Sequence, residues 1–100
     1  MTLTITEHDN GLMGMLSGRL DSASSEQFAK DMQPLMEQAH RIIELDLAEL
    51  EYISSSGLRL MLALLKKVNI EGGQLTIRNL TGVVREVFTL TGFFRIFDTR

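Results

Sequence analysis

The chain of 100 residues contains no cysteine and no tryptophan, a single proline and two histidines. Without cysteine there can be no disulfide, no thiol nucleophile and no thiolate metal site. His8 and His40 stand apart in the sequence, and neither has a second ligand at helical spacing, so no metal and no cofactor is expected. Apolar runs stay well short of the roughly 18 residues that a membrane span requires. The opening Met1–Glu7 stretch lacks the basic start and long apolar core of a secretory signal. The expected location is therefore the cytoplasm. Excess basic charge is lacking too: 10 Lys and Arg against 13 Asp and Glu leave a net charge of −3, which argues against nucleic acid as a direct partner. No Gly-x-x-x-x-Gly-Lys loop is present, and Ser56 lacks the preceding glycine of a nucleophile elbow. No motif assembles a nucleophile with an activating base, so an enzyme is not expected.

What is present is an ordinary globular mixture, 44% hydrophobic and 23% charged, enough for one domain with one core over residues 1–100. Leu3 and Ile5 alternate with Thr2, Thr4 and Thr6, the period of a strand with one buried face. Asn10-Gly11 then signals a hairpin, because both residues tolerate positive φ. The return strand runs from Leu12 to Leu20, with its even positions on one face. From Asp21 the period becomes helical. Ser24 and Gln27 fit a capping box, and Phe28, Met32, Leu35, Met36 and Ala39 line one face, with a kink or break expected at Pro34. Arg41–Leu47 reads as a short central strand, followed by a loop through Ile53.

A second helix follows Ser54-Ser55-Ser56-Gly57, with Leu58, Met61, Leu62, Leu65 and Val68 on one face and Leu60 and Leu64 on a second apolar stripe. Gly72-Gly73 ends it. Gln74–Arg78 is another strand, Thr81 caps a short helix stopped by Thr91-Gly92, and Phe93–Phe97 reads as a last extended segment. The expected fold is a single small α/β domain: a mixed, mostly parallel sheet of four to five strands, led by a β-hairpin, with about three helices packed on it.

The serine run stands out. One serine satisfies an N-cap; three followed by a glycine exceed that need. Arg59 in the first turn opposes the helix dipole, a small cost that a nearby anion or acidic partner would repay. Leu60 and Leu64, one turn apart, extend an apolar strip from the same place.

Gly18–Asp21, Leu45–Leu47 with Ile53–Leu58, and Thr91-Gly92 together resemble the STAS domain, the family named for sulfate transporters and anti-sigma factor antagonists. Gly18-Arg19-Leu20-Asp21 is similar to its G-x-L-D segment. Leu45-Asp46-Leu47, followed by Ile53-Ser54-Ser55-Ser56-Gly57-Leu58, is similar to its L-D-L…D-S-S-G-L segment, and Thr91-Gly92 falls in place near the end. The resemblance implies helices on a small sheet and, in the antagonist branch, a phosphorylatable serine at the start of the second helix. The unphosphorylated domain would bind an anti-sigma factor that is also a serine kinase. Phosphorylation would release it, and a PP2C-type phosphatase would reset it. The acceptor falls on Ser56, with Ser55 as second choice. Asp21, Ser54, Ser55, Gly57, Arg59, Leu60 and Leu64 would form the partner surface. Where members usually carry an aspartate, two residues before the acceptor, this chain has Ser54. It ends at Arg100 without the closing helix of many members, leaving a short member or a trimmed chain open. The resemblance also admits a second reading, a constitutive subunit of a lipid-transport or other assembly with no serine chemistry.

Overall fold

Thr2–His8 (β1) and Gly11–Leu20 (β2) pair antiparallel, with His8 opposite Gly11. The computed structural model describes Met1–Arg100 in full. The hairpin turn is Asp9-Asn10, and neither these residues nor Gly11 adopts positive φ. Gly11 is needed for another reason: a Cβ there would overlap the carbonyl of Ile42 on the neighbouring strand. Along β2 the expected even face is buried at Leu12, Gly14, Leu16 and Leu20, while Gly18, at φ 87° beside a register shift, is only half-buried.

Chain direction then changes the pairing. Ser22–Asp31 (α1) and Gln33–Glu37 (α2) carry the chain over to Ile42–Ile53 (β3), which lies parallel to β2. Pro34 sits in the first turn of α2, where its missing N–H costs nothing, and the helical path breaks at Met32. Ser55–Glu71 (α3) leads to Gln74–Arg78 (β4), and Gly82–Thr91 (α4) to the two-residue Asp98–Thr99 (β5); the sheet order is β1-β2-β3-β4-β5, with β2 to β5 parallel. Gly72, at φ 82°, ends α3 in the left-handed conformation. The segment expected to be extended after Thr91-Gly92 is instead a 3₁₀ turn at Phe93–Arg95. It brings Phe93 and Phe97 together at a ring separation of 6.1 Å, and Phe97 closes on Phe88 at 5.7 Å.

The central strand is longer than its alternation indicates. Buried residues in β3 are Ile43, Leu45, Leu47, Leu50 and Ile53, so the spacing changes from two to three after Leu47. Register shifts against β2 fall between Met15 and Ser17 and between Gly18 and Arg19. At each bulge β3 holds one extra residue, which returns its next apolar side chain to the core. Ala48–Ile53 is therefore strand, not loop.

Ile43 and Leu45 of β3 face the same side as Leu75 and Ile77 of β4, and helices cover that side. The opposite side is polar. Glu44 meets Arg78 at 2.6 Å, and Asp46 accepts from Asn79 Nδ2 at 2.9 Å. A single buried apolar cluster joins the strands to Phe28, Leu35, Met61, Leu64 and Phe88 on the helices.

Candidate partner-binding site

Two helices begin side by side at the carboxyl ends of β2 and β3. The Ser54 N–H donates to the Leu20 carbonyl at 2.8 Å, which ties the end of β3 to the end of β2. The next residue on one strand is Asp21, the N-cap of α1; Ser54 itself is the N-cap of α3.

The α1 cap differs from the one expected at Ser24 and Gln27. The Asp21 carboxylate accepts from the Ser24 N–H at 3.0 Å, and the Ser24 hydroxyl accepts from the Asp21 N–H at 3.0 Å. The helix starts three residues earlier than predicted because Asp21 caps as well as serine does and follows directly on the strand. Gln27 instead donates to Asp31 at 2.7 Å. The Ser24 N–H, then its hydroxyl, hold the Asp21 carboxyl below its ordinary pKa of 3.8, with a smaller contribution from Arg19. A depressed pKa means stability that is present above the unfolded value and lost as pH falls through the folded one. Melting of wild type and Asp21→Asn is expected to differ at neutral pH. The gap should close as acid protonates Asp21, below the ordinary carboxylate range; a gap unchanged by acid would contradict the cap.

Around Ser54 the hydroxyls are ordered by the helix start. Ser54 Oγ accepts from the Gly57 N–H at 3.2 Å and lies 3.1 Å from Ser56 Oγ. Ser55 is exposed and Ser56 half-buried. Gly57 is buried against β2, where an added Cβ would stand 2.7 Å from Leu20 Cγ and 3.1 Å from Ile53 Cγ1. Both neighbours are themselves core residues and cannot give way freely. Gly57→Ala is expected to cost about 1–3 kcal/mol in denaturant unfolding; a neutral result would show that the α3 start can shift.

Arg59 is the fifth residue of α3 and so opens its second turn, not its first. It is exposed, and Leu60 is half-buried beside it. Leu64 departs from the expectation of a partner-facing side chain. It is 1% exposed and packs in the core with Met61 and Val68, while Leu62 and Leu65 remain partly exposed. The core face of α3 is Gly57, Leu58, Met61, Leu64 and Val68, with Gly57 in close approach to the sheet.

Two residues outside the predicted set adjoin the site. The Arg19 guanidinium lies 4.5 Å above the Tyr52 ring, and the Arg19 carbonyl accepts from Ser24 Oγ at 2.9 Å. Arg19 stands opposite Tyr52 only because of the second bulge, a register that residue spacing alone does not reveal.

No cavity opens at Ser54–Leu60, and no group of three His, Asp or Glu side chains is placed to hold a metal ion. No helix is long and apolar enough to cross a membrane. The site is a surface built from two helix starts.

A hairpin-led, mostly parallel sheet with a serine-capped helix at its carboxyl edge defines a small binding domain. Residues 2–100 match the STAS domain, and the chain belongs to that family. It is 38% identical over 97 residues to BtrV of Bordetella bronchiseptica, a protein assigned to the anti-sigma factor antagonists, covering 97% of this chain and 84% of that one. It is 31% identical to an anti-sigma F factor antagonist of Paenibacillus polymyxa, covering 90% of this chain and 79% of the relative. The crystal structure of an anti-sigma factor antagonist from Mycobacterium paratuberculosis superposes with a TM-score of 0.86 at 21% identity, over 98% of this chain and 83% of that one, a likeness of fold.

Proposed function

We propose that this STAS domain is an anti-sigma factor antagonist, acting by binding and not by catalysis, and that phosphorylation of Ser56 switches the binding off. The observation that carries the reading is the placement of Ser56. Its hydroxyl is half-buried at the second position of α3, held by Ser54, on a surface that also presents Asp21, Ser55, Arg59 and Leu60. The relatives' names supply the partner class, an anti-sigma factor.

A phosphate adds about −1.5 to −2 charges and three acceptor oxygens. At a helix start the group is compatible with the domain's own fold, because free amides and the dipole favour an anion. Toward a partner it adds bulk and a desolvation cost at the centre of the contact. The kinase is the anti-sigma factor itself, a PP2C-type phosphatase reverses the step, and the exchange takes place in the cytoplasm. Ser55, exposed one residue earlier, is the second candidate for the acceptor.

Mass spectrometry of the protein recovered from its native cells tests the reading. One phosphate is expected on Ser56 and none on the Ser56→Ala protein, which should co-purify with a kinase-type anti-sigma factor. A phosphate on Ser55 would move the acceptor by one residue. An unmodified run in every growth condition, with a partner retained equally by both proteins, would sink the switch in favour of a constitutive subunit.

A further inference from the structure

Arginines in this chain are engaged, with two exceptions. Arg19 stacks on Tyr52, Arg41 pairs with Glu7, Arg78 with Glu44, Arg85 lies over Phe94 and Arg100 meets Asp98. Only Arg59 and Arg95 have no hydrogen-bond, ion-pair or ring partner. Arg95 belongs to the 3₁₀ turn after α4, not to the helix that carries Ser56. Arg59 sits three residues after Ser56 on the same helix, the spacing at which side chains adjoin with Cβ atoms about 5–6 Å apart. In the unmodified protein no acidic side chain pairs with it.

We infer that Arg59 is the internal counter-ion of a phosphate on Ser56. The inference rests on the reading of Ser56 as the acceptor. A phosphoserine places its oxygens beyond the hydroxyl, within reach of a guanidinium one turn along, and the pair is charge-assisted with fork geometry. The remaining charged groups nearby do not compete for this role. Asp21 repels a phosphate and is occupied by Ser24; Glu26 on α1 and Glu49 and Glu51 on β3 are exposed and acidic; Arg19 is held over Tyr52. Arg59 thus favours the dianionic phosphate. Phosphorylation then changes the surface twice, adding an anion and removing the free cation beside Leu60. Arg59 is a positioning residue here, acting on the phosphate and not on the transfer.

The test uses the full chain with phosphoserine installed at position 56 during translation, and reads the second ionisation of the phosphate by phosphorus NMR. With Arg59 present, that ionisation is expected about 0.2–0.7 pH unit lower than in the Arg59→Gln protein. Added salt should shrink the difference, and Arg59→Lys should restore part of it. Identical titrations in wild type and Arg59→Gln, both shown folded by their melting, would overturn the inference. Because the phosphoserine is installed without a kinase, this failure is separable from failure of the switch, which the native mass spectrum decides.

Discussion

Protein carrying phosphate on Ser56 is expected to bind its anti-sigma partner at least about a hundredfold more weakly than the unmodified form, a loss of roughly 2.7 kcal/mol. The size follows from where the group goes. Ser56 is half-buried at the second position of α3, with Ser54 Oγ at 3.1 Å, so a phosphate there adds its bulk and charge at the surface of the helix start. A partner face closing over the serine must desolvate a dianion or leave a gap, and either removes the centre of a small interface. The domain itself is expected to keep its stability, since the α3 start accepts an anion. Ser56→Asp carries one charge and no tetrahedral phosphate, so it should lose less affinity than the phosphoprotein, while Ser56→Ala binds like the unmodified form. Calorimetric titration of the four proteins against the purified partner checks the order. Equal affinities would place the contact elsewhere on the molecule.

The general architecture could be read from residue order because each local signal agreed with the next: alternation in β2, helical period from Phe28 to Ala39, and glycine at the end of α3. The departures have two causes, contacts distant in sequence and near-equal local choices. Ala48–Ile53 looked like loop because two bulges against β2 break its alternation, and a bulge is defined by the partner strand. The α1 start was misplaced because serine and aspartate are near-equal caps. The choice fell to the residue directly following the strand. At the site, Ser54, Ser56 and Gly57 were legible as a motif, and the geometry brings them together with Asp21. Arg19 over Tyr52 was not legible, since no motif fixes that cross-strand pair.

The orientation of α3 is the most consequential of these, and it separates two neighbouring leucines. An α-helix apolar around most of its circumference has no unique inward face by periodicity alone. Gly57 settles the matter: it lets the helix approach Leu20 and Ile53 closely, which turns Met61, Leu64 and Val68 inward and leaves Leu60 at the rim. Leu64→Ala is therefore expected to cost about 2–5 kcal/mol of folding stability, a large part of what a domain of this size possesses. Its effect on partner affinity, measured on the folded fraction, should be small. Leu60→Ala should do the opposite, unfolding at nearly the wild-type denaturant concentration while losing affinity for the partner. Denaturant melts and binding titrations on both variants decide between the two roles. Weak binding by a fully stable Leu64→Ala protein would mean that α3 turns on contact. The apolar stripe first read from the sequence would then describe the bound state.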